Sequence, residues 1–358
     1  MGWIKSGKFY KYLLKNLSTV NTLLGIYPFL SMEIKTEYGK IKMNKLSSEI
    51  IRAPEFKRLK KITLSGYKVF LSPNNPFYKK PVTIFEHSIG VYALLTSLGA
   101  NYEERIMGLL HDISRPAFGH IIDFLFGDYE KQEWHERVME SFLENSKINE
   151  ICENHGLNLK RMVKKFRNGR YRYLDSPIPN ICADRLDYSL RHIRSIFGED
   201  LFWIARDIKK GSNLYFSSEK TALIYSLSYL ELSRYYNKDS GIFLVISKIL
   251  KKALEQGLIE TKDFLERGEE EIYRILIKDR ELKKILSLLK NIRVEIDEKE
   301  FDFVVRTKRR FVDPFVREKR LSEINKEFKR KIEEFLKEYE QGIRIKVYPK
   351  EILKYIKE

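Results

Sequence analysis

Four polar side chains set into otherwise apolar, helix-patterned segments constrain this chain more than any other feature. His87 lies in Phe85-Glu86-His87-Ser88-Ile89-Gly90-Val91, the doublet His111-Asp112 follows the run Ile106–Leu110, and Asp184 lies in Ile181-Cys182-Ala183-Asp184-Arg185-Leu186-Asp187-Tyr188. The apolar neighbours bury these segments, and an ionised carboxylate is costly to bury unless it is paired or bound to a metal. Adjacent residues of a helix point about 100° apart, so both members of the doublet can serve one point only where the helix ends. Ser114-Arg115-Pro116 supplies that end, because the residue before a proline is steered out of the helical region. The fold must therefore bring distant helices together around a polar centre.

Two imidazoles and two carboxylates form a mixed nitrogen and oxygen donor set suited to Mn, Ni, Fe, Zn or Mg. Four protein ligands would leave two positions for water and a phosphate oxygen. Separations of 24 and 72 residues carry no local geometry, so residue type alone leaves open a buried polar cluster without a metal.

Most of the remaining pattern is helical. Glu33–Met43 alternates around Tyr38-Gly39-Lys40 and predicts a hairpin, and helical spacing begins at Leu46, with Pro54 at a first-turn position. Helices are predicted over Phe85–Leu98, Tyr102–His111, Gly119–Phe126, Trp134–Asn145, Ile148–Cys152, Ile181–Phe197, Lys220–Tyr236, Ile242–Glu255, Thr261–Glu266 and Glu270–Leu289. Ser72–Pro81, with three prolines, is a loop. Past Asn291, Arg293–Ile296, Phe301–Arg306 and Ile343–Tyr348 read as strands and Glu323–Tyr339 as a charged helix. The expected fold class is mainly α. Residues 1–32 form an N-terminal extension with an amphipathic helix and a turn at Gly25 and Pro28. Residues 33–290 form a helical metal-binding domain that opens on a short hairpin, and 291–358 a small α+β appendage.

Composition narrows the class. With 22 Phe and 21 Tyr in 358 residues the chain has ample material for a core, which excludes disorder over most of its length. Cys152 and Cys182 can build neither a disulfide framework nor a cysteine-based zinc site, and they predict a reducing, cytoplasmic compartment. The most apolar stretches, Val20–Leu30 and Ile89–Ala100, fall short of the roughly 18–20 residues of a membrane helix, so no membrane partner is expected. Net charge is +17, and residues 1–80, with 14 Lys and 2 Arg against 4 Glu, hold +12 of it. Such a field concentrates anionic partners, nucleotides or nucleic acid, or it merely solvates the chain.

The order His87, His111-Asp112, Asp184 resembles the metal set of the HD superfamily of phosphohydrolases. The surrounding words are similar to its deoxynucleotide triphosphohydrolase-like branch: Pro54-Glu55-Phe56-Lys57-Arg58-Leu59-Lys60-Lys61-Ile62, Phe85–Tyr92, Leu110-His111-Asp112-Ile113-Ser114-Arg115-Pro116-Ala117-Phe118-Gly119-His120 and Ala183–Tyr188. The resemblance spans Glu33 to Lys290 and implies an HD-domain helical bundle. It implies one divalent metal ion held by His87, His111, Asp112 and Asp184, a phosphorylated small molecule as substrate, a nucleotide first among them, and a homo-oligomer. It also implies that Asp112 is catalytic as well as a ligand, that His120 faces the phosphates, and that His135 acts as general acid. Arg185 and Tyr188 would touch the triphosphate and sugar, and Tyr235 the substrate. His155 and His192, outside the motifs, are expected to be structural.

Several positions depart from that pattern. Ile84 stands where the branch has a phosphate-binding arginine, Leu64 where a glutamine reads the sugar, and Leu227 where a second arginine is expected. Arg115 replaces the second histidine of the doublet motif and keeps a positive charge. Each lost charged hydrogen bond costs about 1.5–3 kcal/mol, so the substrate-reading shell has been rebuilt, and Lys79 and Lys80 of the Ser72–Pro81 loop are the expected replacements. The function expected is a metal-dependent phosphohydrolase acting on a nucleotide or related phosphate ester, with altered recognition. The alternative is a nucleic-acid-binding protein with a structural metal, its contacts supplied by the basic N-terminal third and Arg306–Arg310. Glu323–Tyr339 would pair with a partner helix or lie solvated.

Overall fold

Short polar side chains set the helix starts. Thr83 opens the helix of the first histidine with a reciprocal box: its Oγ1 accepts from Glu86 N at 3.1 Å, and Glu86 Oε2 accepts from Thr83 N at 2.8 Å. Asn101 Oδ1 caps Glu104 N at 2.9 Å ahead of the helix that delivers the doublet. The structure, a computed structural model, describes residues 32–338 and 342–356, so the N-terminal helix and turn expected before residue 32 lie outside the described residues.

The hairpin β1 (Glu33–Thr36) and β2 (Gly39–Lys42) leads into α1 (Lys45–Arg52) and α2 (Pro54–Arg58). Then come α3 (Ile84–Ser97), α4 (Tyr102–Leu110), α5 (Ile121–Leu125), α6 (Trp134–Glu144), α7 (Lys147–Asn154), α8 (Leu159–Arg167) and α9 (Ala183–Phe197). Helix α8 was not expected, although Leu159, Met162, Val163 and Phe166, all buried, repeat at helical spacing. Helix α3 packs against both α4 and α9, and the four polar positions meet where these helices converge.

Behind them runs α10 (Glu219–Glu255), 37 residues without a break. Two helices divided near Asn237–Gly241 were expected, and tertiary partners account for the difference. Asp239 accepts from Tyr67 Oη at 3.0 Å. Gly241 lets the C-terminal sheet approach, since a Cβ there would lie 2.7 Å from Val294 Cγ1 and 2.8 Å from Ile345 Cγ2. The expected helix Glu270–Leu289 is in turn two, α12 (Glu269–Leu276) and α13 (Arg280–Leu289), after the short α11 (Asp263–Glu266); Asp279 caps Leu282 N at 2.8 Å and restarts the chain.

In the C-terminal part, β9 (Ile343–Tyr348) lies between β5 (Arg293–Ile296) and β6 (Phe303–Val305), antiparallel to both, with Ile345 opposite Ile296 and Phe303. Its buried face, Ile343, Ile345 and Val347, packs against α10. A second sheet ties this part to the helical body. β3 (Ile208–Lys210) and β4 (Leu214–Phe216) form a hairpin, and β4 pairs parallel with β7 (Phe315–Val316), which pairs with β8 (Lys319–Arg320). After α14 (Leu321–Ile324), α15 (Lys326–Glu338) buries Phe328, Ile332 and Phe335 against this same chain, so that face is covered internally. Among the described residues no helix is long and apolar enough to cross a membrane.

Candidate active site

His87 sits on the first turn of α3 and is 1% exposed. Its Nδ1 donates to Asp187 Oδ2 at 2.8 Å, which fixes the tautomer and leaves the Nε2 lone pair facing inward. His111 is the C-cap of α4, as the doublet argument requires; its Nδ1 donates to Gly108 O at 2.9 Å. The two Nε2 atoms therefore face each other as acceptors, 3.2 Å apart, with Asp184 Oδ1 3.0 Å from one and 3.4 Å from the other. Three acceptors crowded in this way repel one another unless a cation lies among them. Donors bonded at about 2.1 Å and at right angles are about 3.0 Å apart, so the spacing fits an octahedral face. His87, His111 and Asp184 form the group of donor atoms within mutual reach of one ion. Asp112 Oδ2 is farther out, 3.9 Å from His87 Nε2 and 4.0 Å from His111 Nε2.

Without a cation the cluster neutralises itself with protons. Burial opposes charging of His87, but hydrogen bonds to Asp184 and Asp187 push it up to about 9. Burial likewise opposes ionisation of Asp184, yet His111 and His87 hold it well below the ordinary carboxylate range.

Asp112 also faces a second set of groups. Its Oδ1 is 3.2 Å from His135 Nε2 and 3.7 Å from an Arg115 guanidinium nitrogen. That nitrogen in turn lies within 3.5 Å of both His135 ring nitrogens. His135 is on the first turn of α6, and its carbonyl accepts from Ser114 Oγ at 2.8 Å, which ties that turn to the doublet loop. Asp123 links the next member: it accepts from His120 Nδ1 at 2.8 Å and from Trp134 N at 3.0 Å. The His120 ring is centred 6.2 Å from that of His135. Burial, together with Arg115 and Arg310, holds His120 well below its ordinary range, so it is neutral near pH 7.

One pocket takes in His87, His111, Asp112, Asp184, His120, His135, Arg115, Arg185 and Tyr188. Arg185 also holds its own loop, donating to Ser176 O at 3.1 Å and to Asn180 O. Tyr188 Oη is 2.7 Å from Tyr229 Oη. Two expected contacts lie elsewhere. Lys80 is exposed outside the pocket, its carbonyl accepting from Ser195 Oγ at 2.8 Å. The Tyr235 ring packs against Phe77 and Phe197 away from the site, because one step along α10 turns a side chain by about 100° and presents Tyr236 instead. His192, expected to be structural, lines the pocket with its Nδ1 2.6 Å from Tyr236 Oη, and burial pushes it down to about 3. His155 is remote, paired with Glu49 at 2.8 Å.

Sequence reasoning missed four kinds of contributor. Asp187 was visible in its motif, but its bond to His87 depends on α9 packing on α3. Gly90 makes room for it: a Cβ there would lie 2.1 Å from Asp187 Oδ1. Arg58 donates to Ile113 O at 3.1 Å and Arg115 O at 2.8 Å, clamping the doublet loop. Thr307, Lys308 and Arg310, expected only as part of a nucleic-acid-binding strip at Arg306–Arg310, reach the pocket from the C-terminal part.

Residues 84–191 match the family model described as HD domain. The uncharacterized protein YdhJ of Bacillus subtilis is 30% identical over 291 residues, covering 78% of this chain and 86% of that one. The metal-dependent phosphohydrolase cns2 of Cordyceps militaris is 27% identical over 242 residues, 64% of this chain and 67% of its own. Deoxynucleoside triphosphate triphosphohydrolase SAMHD1 of Gallus gallus is 29% identical over 172 residues, 42% of this chain but 27% of that much longer protein. A hypothetical protein from Aquifex aeolicus shares the fold, with a TM-score of 0.58 at 19% identity over 91% of this chain and 99% of its own. The likeness in sequence and in fold thus reaches well past the histidine–aspartate centre itself, and the chain belongs to the HD-domain superfamily of metal-dependent phosphohydrolases.

Proposed function

We propose that this chain hydrolyses a phosphate ester of a nucleotide, with sugar and phosphate recognition rebuilt relative to the deoxynucleotide triphosphohydrolases. The observation that carries the reading is His135 Nε2 at 3.2 Å from Asp112 Oδ1, beside three inward-facing metal donors in one pocket. The nucleotide class is supported by the likeness to SAMHD1 and by the pocket wall. Arginine and lysine side chains share that wall with Tyr188, Tyr229, Tyr236 and Phe243, which suits a ligand with phosphates and a planar ring.

His87, His111 and Asp184, with Asp112 at the rim, would hold one divalent cation, which supplies Lewis-acid polarisation of the phosphoryl group and a lowered water pKa when bound. The remaining chemistry belongs to side chains. Water adds its oxygen to phosphorus and releases a proton to solvent, the phosphorus–oxygen bond to the leaving group breaks, and His135 gives that oxygen a proton and regains one from solvent. Asp112, 3.2 Å from its Nε2, orients the imidazole. Arg115 meets the charge that develops on the phosphoryl oxygens, while neutral His120, whose one N–H is held by Asp123, presents Nε2 to the pocket as an acceptor for a water or hydroxyl.

The test is phosphate release from nucleoside mono-, di- and triphosphates with Mn, Ni, Mg or Zn, for wild type, Asp112→Ala and His135→Ala. Release by wild type that chelation abolishes and one metal restores, lost at least about 100-fold in both variants, is expected. Equal release from all three proteins overturns the reading. Release from none of the nucleotides, with duplex binding that weakens steeply as salt rises, would favour the nucleic-acid alternative.

A further inference from the structure

Residues 306–312 cross the rim of the pocket as an extended strap without regular structure, held at both ends. One end leaves β6; at the other Val312 is fully buried, Asp313 N donates to Pro179 O at 3.0 Å, and β7 joins β4. Arg306 and Arg309 are exposed, whereas Thr307, Lys308 and Arg310 are half-buried and line the pocket. Gln132, 2% exposed and held at φ 59°, fixes the strap from across the site. It donates to Thr307 Oγ1 at 3.1 Å and accepts from Arg310. The Arg310 guanidinium also lies 5.5 Å from the centre of the Tyr236 ring.

Among the described residues no carboxylate forms an ion pair with Lys308 or Arg310. Two half-buried cations that face a pocket without a paired carboxylate are placed to take an anionic ligand there. Glu136 and Asp175 line the same pocket but make no ion pair with either cation. A single phosphoryl group at the His/Asp centre would already be met by the cation and Arg115, so further cations imply further negative charge on the ligand.

We propose that Lys308 and Arg310 form a second anion subsite, contributed by the C-terminal part, that binds the phosphates of the substrate beyond the one at the His/Asp centre. The proposal deepens the nucleotide reading and rests on it. It makes the strap the determinant of how many phosphates the substrate carries, and it puts the charge expected from Lys80 in a different part of the chain.

The test is calorimetric binding of inorganic tripolyphosphate and of orthophosphate, each at fixed free magnesium, to the full chain and to Lys308→Gln, Arg310→Gln, Arg310→Lys and Arg309→Gln. Each glutamine variant in the pocket should weaken tripolyphosphate about 10- to 100-fold and orthophosphate less than about threefold. Arg310→Lys should recover part of the loss, and outward-facing Arg309→Gln should change little. Equal losses for both anions, an equal effect of Arg309→Gln, or no loss overturns the subsite. If no nucleotide is hydrolysed yet tripolyphosphate binding still depends on Arg310, the function fails and the subsite stands. If hydrolysis occurs and the KM of a triphosphate ignores both residues, the reverse holds.

Discussion

Gly90→Ala sets two opposing effects against each other on the helix that carries His87. Alanine is favoured over glycine in a helix interior by about 0.8–1 kcal/mol. Against that, the new Cβ would lie 2.1 Å from Asp187 Oδ1 and 2.6 Å from a guanidinium nitrogen of Arg191, so the carboxylate must retreat by about 1 Å. It then loses its bonds to His87 Nδ1 at 2.8 Å and Arg191 Nε at 2.7 Å, both in a fully buried setting. Breaking a buried pair costs about 3–5 kcal/mol, so the net expectation is destabilisation by about 2–4 kcal/mol. With its orienting carboxylate displaced, His87 should bind metal about 10- to 100-fold more weakly. Urea unfolding measures the first quantity and calorimetric manganese titration the second. Asp187→Asn, which keeps the volume and removes the charge, should reproduce the affinity loss without the clash. A Gly90→Ala protein more stable than wild type, with unchanged manganese affinity, would refute the packing of Asp187 between α3 and α9.

Glu269, 4% exposed, is pushed by burial from an ordinary 4.5 to about 7, against hydrogen bonds from Thr63 N and Oγ1. A carboxyl with a raised folded-state pKa contributes stability that is complete below about pH 4.5 and is lost as pH rises through about 7, here about 3 kcal/mol. Urea unfolding at pH 5 and pH 8 should therefore show wild type losing about that much more than Glu269→Gln, and parallel losses would refute it. Tyr236→Phe removes the partner of a buried imidazole nitrogen in the pocket, so the KM of the hydrolysed nucleotide should rise several-fold. Tyr235→Phe should leave that KM within about threefold; steady-state kinetics giving the opposite ranking would place the wrong face of α10 in the site.

The mainly helical fold and the histidine–aspartate set were legible because their signals are local. Apolar spacing marks the helices, Thr83 and Asn101 mark starts, and a His-Asp doublet before Ser114-Arg115-Pro116 marks an end. Where a local signal was read against its environment, it misled. Asn237–Gly241 looks like a helix break, yet Tyr67 and the C-terminal sheet supply the contacts that keep α10 continuous.

Residue chemistry by itself therefore determined which side chains could take a metal and where each helix carrying them would start or stop. Which helical face met the pocket, Tyr236 rather than Tyr235, was decided by the packing of α10, as was the bond of Asp187 to His87 by the packing of α9 on α3. The arrival of Lys308 and Arg310 more than 120 residues beyond Asp184 depended on the pairing of β7 with β4. Side-chain identity and short-range periodicity are properties of neighbouring residues, whereas these juxtapositions depend on how separate surfaces fit together, which neighbouring residues do not encode.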